Sequence, residues 1–117
     1  MKIILNRLAI SEAVAPLMCA ISGKSTLSAI EGILIDATGE DACTMTTFDL
    51  EKGMRITVAA EICEPGAAIV NAQKFVQTIR VMEGETVTLT VSENMQACIS
   101  SGKSNHKMTA LHAQDYP

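Results

Sequence analysis

The chain has 117 residues, 48% of them hydrophobic, with one Tyr, two Phe, no Trp and a formal charge of -4. That length suits one domain with a true core, which must be built from Ile, Leu, Val, Ala and Met. The negative balance excludes a domain held on nucleic acid by bulk attraction and leaves room only for a local basic strip. Four cysteines stand at 19, 43, 63 and 98 without a Cys-x-x-Cys pair, which argues against a zinc site. Asn6-Arg7 interrupts the first apolar run, so no signal peptide is expected, and no apolar run reaches the roughly 18 residues of a membrane span. A cytosolic protein with reduced, buried and inert thiols follows as the expectation.

Lys2 to Asn6 reads as a short strand. A helix is predicted over Arg7 to Ile21, because Ile10, Val14, Leu17, Met18 and Ile21 recur at intervals of three and four. Pro16 lies inside this run and should weaken or kink it by removing one hydrogen bond. Ser22-Gly23 ends the helix, and a polar loop, Lys24-Ser25-Thr26, follows. Ile30 to Ala37 reads as a strand, with Thr38-Gly39-Glu40-Asp41 as a turn and Ala42 to Phe48 as the hairpin partner. Met54 to Ala60 alternates as a half-buried strand.

A Pro65-Gly66 turn leads into a short apolar strand, Ala67 to Val70. Asn71 stands at a helix N-cap, where its side-chain oxygen can accept from a free N–H of the first turn. The helix that follows puts Phe75, Val76 and Ile79 on one face and Gln73, Gln77 and Arg80 on the other, and Gly84 stops it. Thr86 to Val91 alternates cleanly, Ser92-Glu93-Asn94 turns, and Met95 to Ile99 pairs back. Ser101-Gly102 breaks the chain before a last strand from His106 to Leu111, and Asp115-Tyr116-Pro117 reads as the start of a linker. The sum is an α+β domain of two short helices and about eight antiparallel strands, with both helices able to lie on one side. Strand, helix and strands occur twice in order, a hint of a twofold internal repeat.

Asp49 and Glu51 would share a face if they lay on a strand, but nothing at motif spacing supports acid–base work. A polar hairpin loop, with Asp49 bonding its own backbone, is the plainer reading. His106 and His112, six apart, would share a strand face, yet two imidazoles make a poor metal site. No Gly-rich phosphate loop is present. Arg7, Lys24 in the loop after the first helix, and Gln73, Lys74, Gln77 and Arg80 could form a basic strip, but on composition alone a solvated helix face is the favoured reading.

Six pieces of the chain, taken in order, resemble the N-terminal domain of the bacterial DNA polymerase III beta subunit, the sliding-clamp family. They are Met1-Lys2-Ile3 with the helix from Arg7, then Thr26-Leu27, Asp49-Leu50-Glu51, Glu64 to Glu83, Ser101-Gly102-Lys103-Ser104 and Ala113 to Pro117. The resemblance spans residues 1–117 and implies a DNA-clamp fold, with the rest of a longer chain absent. It implies a ring that encircles duplex DNA, contacts its backbone without reading sequence, and gives the replicative polymerase processivity without catalysis or cofactor. Arg7, Lys24, Gln73, Gln77 and Arg80 would face DNA; Lys24 and Arg80 match positions that are basic in the family, and Gln73 stands where a basic residue is common. Lys74, Lys103, His106 and Met108 would lie at the subunit interface, where the ring closes by pairing of strand edges. Family members often carry a bulky apolar residue where His106 stands, which suggests closure that weakens at acid pH. DNA polymerase and the ATP-driven clamp loader are the implied partners, in the cytoplasm. The other reading is an interaction module of the same fold that pairs through its exposed strand edge.

Overall fold

The computed structural model describes residues 1–21 and 31–116. Among them are nine strands and two α-helices: β1 (Lys2–Asn6), α1 (Arg7–Leu17), β2 (Gly32–Asp36), β3 (Ala42–Phe48), β4 (Gly53–Glu64), β5 (Ala67–Asn71), α2 (Ala72–Arg80), β6 (Thr86–Val91), β7 (Gln96–Ser101), β8 (Ser104–Thr109) and β9 (Leu111–His112). All strand pairs are antiparallel, in the order β8-β7-β6-β1-β4-β3-β2-β5-β9. The α+β class holds, with nine strands in place of about eight. The extra one arises because the last strand divides at Ala110: β8 pairs with β7, and β9 crosses to pair with β5.

Alternation decides which side of each strand is buried. On β3, Cys43, Met45 and Thr47 point inward; on β6, Val87, Leu89 and Val91 do. The helices close this inner face. Ile10, Val14 and Leu17 of α1 and Phe75, Val76 and Ile79 of α2 join one core with Ile3, Leu5, Ile33, Ile35 and Ile99. Both helices begin at an asparagine whose Oδ1 accepts a first-turn N–H: Asn6 from Ala9 at 2.9 Å and Asn71 from Lys74 at 3.0 Å. Helix α1 is shorter than the periodicity predicts. Pro16 lies in its last turn, and Met18–Ala20 continues as a 3-10 turn that buries Ala20, while Met18 and Ile21 are only partly covered. Gly84 does not end α2, whose C-cap is Val81 in right-handed conformation.

The chain passes through one plan twice. Strand β1, α1 and the meander β2-β3-β4 form the first pass; β5, α2 and the meander β6-β7-β8 with β9 form the second. Hydrogen bonds outside the regular pairing repeat as well. Ala37 N donates to Gly66 O at 2.8 Å, and Val91 N to Met1 O at 2.9 Å. Ala60 N donates to Asp41 O at 3.0 Å, and Ala110 N to Met95 O at 2.8 Å. The passes are interleaved, because β1 pairs with β6 and β5 pairs with β2. Each half therefore completes the other's sheet.

Candidate nucleic-acid interface and sheet edges

Helix α2 presents Gln73, Lys74, Gln77 and Arg80 to solvent while Phe75, Val76 and Ile79 are buried. Gln73, Gln77 and Arg80 surround a shallow groove of about 230 Å³ floored by Met18 and Val76. Arg80, in the last turn, is favoured there by the helix dipole. Arg7, the first residue of α1, is not among the residues that line this groove. Its Nε donates to Gly84 O at 2.7 Å and its backbone N to Glu85 O at 3.0 Å, so it is half-buried and tied to the loop after α2. Of the residues expected to face DNA, the structure thus gathers Gln73, Gln77 and Arg80 and sets Arg7 apart. Lys24 lies outside the described residues, as do Thr26-Leu27.

The residues expected at a subunit interface are mostly brought together. Lys74, Gln77 and Thr78 of α2 face His106, Lys107, Met108 and Thr109 of β8 across a groove of about 400 Å³. Register explains the placement. His106 lies opposite the buried Ile99 and Met108 opposite the buried Ala97, so both occupy the inner face of the sheet, where the core pattern would continue. No described strand pairs with the other side of β8, so its backbone groups form an open edge. Lys103 is not in this groove. It sits at the tip of the β7–β8 hairpin, a two-residue turn in which Gly102 has φ +58° and Lys103 does not share that sign, the signature of a type II′ turn. A second open edge went unread in the sequence: β4 from Gly53 to Ala59 pairs only with β3 among the described residues, because β1 takes over at Ala60.

Asp49 Oδ1 accepts from Glu51 N at 3.0 Å and Lys52 N at 2.8 Å, so the residue closes a hairpin loop. Those bonds, that from Lys52 first, hold its carboxyl below the usual range. His106 and His112 do not share a strand face: they belong to β8 and β9, at opposite ends of the strand order, because the chain changes partner at Ala110. The thiols also differ from expectation. Only Cys43 is fully buried, and burial pushes its thiol up to about 11; Cys19 and Cys63 are exposed and Cys98 is partly so. Cys19 sits in the 3-10 turn after α1, and Cys63 in β4 beyond the core-facing positions, where strand alternation turns it outward. The segment after β9 is more than a linker, since Ala113–Asp115 forms a 3-10 turn and Tyr116 OH donates to Thr46 O at 3.3 Å. Among the described residues no helix is long and apolar enough to cross a membrane.

Residues 1–117 match the family model described as DNA polymerase III beta subunit, N-terminal domain. The chain is similar to the beta sliding clamp of Staphylococcus epidermidis, 33% identical over 106 residues, covering 84% of this chain and 28% of that protein. The corresponding protein of Staphylococcus aureus is 32% identical over the same share of each. Among solved structures, the DNA polymerase sliding clamp of Bacillus subtilis overlays with a TM-score of 0.94 at 23% identity, over 100% of this chain and 33% of that one. The clamp of Caulobacter crescentus does so with a TM-score of 0.92 at 24% identity, over 100% and 32%. The chain therefore spans under a third of the length of the curated relatives it matches. With the family model matched from its first residue to its last, the chain belongs to the DNA polymerase III beta subunit family, in the part that forms the N-terminal domain.

Proposed function

We propose that this chain is the first domain of a ring-shaped clamp that encircles duplex DNA, slides along it and keeps a replicative polymerase attached, in the cytoplasm and without catalysing a reaction. The match of the family model to residues 1–117 carries this reading. The outward side of α2 supports it: Gln73, Gln77 and Arg80 can meet phosphates and water without reading bases, which a sliding contact requires. One described cation on that groove makes the contact weak, and Arg7 and Lys24 would add to it. In a ring-forming chain, Lys24→Glu with Arg80→Glu should abolish retention on circular DNA. Unchanged retention would remove the assignment of this face.

Ring closure would use the open edge of β8. Lys74, His106 and Met108 would line that joint, with Lys103 at its rim. Association measured from pH 5 to pH 8 tests the role of His106; a flat profile would count against it. The polymerase and an ATP-driven loader complete the proposed set of partners. The second reading, an interaction module working through β8 alone, draws on the groove beside it, which holds Lys74, His106 and Lys107 and is richer in basic side chains than the α2 groove. The mass in solution separates the two: a stable small oligomer of the 117-residue chain that ignores DNA favours the module.

A further inference from the structure

One buried hydroxyl ties three elements together at the end of the molecule where Arg7 stands. Ser101 is 5% exposed. Its Oγ accepts from Gly84 N at 3.0 Å and donates to Thr86 O at 2.7 Å. These bonds bracket Glu85 and fix the loop between α2 and β6. The carbonyls of that loop then hold Arg7, Gly84 O taking the Nε–H and Glu85 O the backbone N–H. A Cβ on Gly84 would stand 2.5 Å from Ser101 Oγ and 3.1 Å from Gly102 N, so only glycine admits this approach.

The guanidinium is planar, so fixing Nε fixes its plane. Arg7 is half-exposed, and its two Nη nitrogens make no hydrogen bond among the described residues. An arginine held this way is a preset fork for a phosphate, with less freedom to lose on contact. We propose that Ser101 is a positioning residue for Arg7: acting through Gly84, it holds the guanidinium so that its Nη edge meets a DNA phosphate. The proposal rests on Arg7 facing DNA, as in the function proposed above.

The test is fluorescence anisotropy of the 117-residue chain with a short duplex at low salt. Arg7→Ala should weaken binding about tenfold, the order expected for one lost phosphate contact. Ser101→Ala should reproduce much of that loss and add nothing in the Arg7→Ala background. Ser101→Thr should restore binding, and Arg80→Ala should add in full to Ser101→Ala. A purely structural Ser101 would instead add its loss to both arginine variants, which would overturn the proposal, as would Ser101→Ala binding like the wild type. Arg7→Lys keeps the charge but lacks the planar fork that serves Gly84 O from Nε and a phosphate from the Nη edge, so it should bind nearly as weakly as Arg7→Ala. It decides the matter if Ser101→Ala does not fold, and wild-type binding by Arg7→Lys would overturn the proposal. If Arg80→Ala weakens binding while Ser101→Ala does not, the DNA-facing reading stands and the role of Ser101 falls. If neither arginine matters, or the wild type does not bind, both fall.

Discussion

The open edges of β4 and β8 fill equivalent places in the internal repeat and carry different chemistry. Cross-strand register aligns Met54, Ile56 and Val58 of β4 with Ser104, His106 and Met108 of β8. In β4 the inward positions are apolar: Val58 is buried, and Met54 and Ile56 pack against the core. In β8 the series begins with a hydroxyl and an imidazole, and His106 is exposed. The helices account for the difference. Helix α1, 11 residues long, packs on β4; α2 has nine and leaves a groove beside β8. A strand under a helix can continue the core, whereas an uncovered strand must carry polar groups or have a partner.

The largest expected effect tests whether the halves are equal inside. Ile10 and Phe75 occupy the same place in the two helices, four residues beyond the capping asparagine, and both are fully buried. Phe75→Ala should cost about 3–5 kcal/mol and Ile10→Ala about 2–5 kcal/mol in urea unfolding, with Phe75 the larger loss. The reverse order would mean that α1, not the longer side chain of α2, anchors the core. Exchanging the edges comes next. Ile56→His should destabilise the fold by about 1–3 kcal/mol, because it puts a polar ring into half-buried apolar surroundings. His106→Ile should change stability by no more than about 0.5 kcal/mol and raise self-association in sedimentation. Equal destabilisation by the two exchanges would erase the contrast between covered and open strand.

The repeat also places Thr47 and Ser101 in equivalent buried positions with unequal duties. Thr47 Oγ1 donates one bond, to Leu17 O at 2.9 Å, while Ser101 Oγ accepts one and donates one. Thr47→Val should therefore cost about 1 kcal/mol, and Ser101→Ala about 1–3 kcal/mol because it strands the Gly84 N–H. Similar losses in urea unfolding would mean that the Gly84 N–H finds water once the hydroxyl is gone.

Much of this was legible in the chain. Alternation over Thr86 to Val91 and the 3–4 spacing of Ile10, Val14 and Leu17 gave element type and inner face, because side-chain direction follows from local periodicity alone. Asn71 announced its helix through a cap that needs only residues three apart. The interface grouping of Lys74, His106 and Met108 came from resemblance, since residues 74 and 106 meet only through sheet register. What escaped has the same cause. The partner change at Ala110 depends on β5 being near, so the ninth strand was missed and His106 and His112 were put on one face. The repeat conserves burial and hydrogen bonds more than identity, with Ile10 answering Phe75 and Thr47 answering Ser101, so sequence comparison found only its outline. Gly84 looked like a helix stop because its near contact, Ser101, lies 17 residues away.

The smallest effect separates the two hairpins beside the open edges. The β3–β4 loop is closed by a carboxylate, and the β7–β8 turn by a glycine at φ +58°. Backbone N–H groups of Lys52 and Glu51 stabilise ionised Asp49 in the fold and lower its pKa from 3.8. A depressed carboxyl pKa means that the contribution is present above the ordinary value and is lost as pH falls through the folded one. Asp49 is only partly covered and its carboxylate stays open to solvent screening, so the effect should be small. Asp49→Asn should lower the urea midpoint slightly at neutral pH, and its curve should rejoin that of the wild type well below pH 4. Gly102→Ala, forced into the left-handed region, should instead lose about 1 kcal/mol at every pH, since no titrating group holds that turn. An Asp49→Asn deficit that persisted unchanged at low pH would mean that loop shape, not carboxylate charge, closes the first hairpin, and the two turns would then differ only in length.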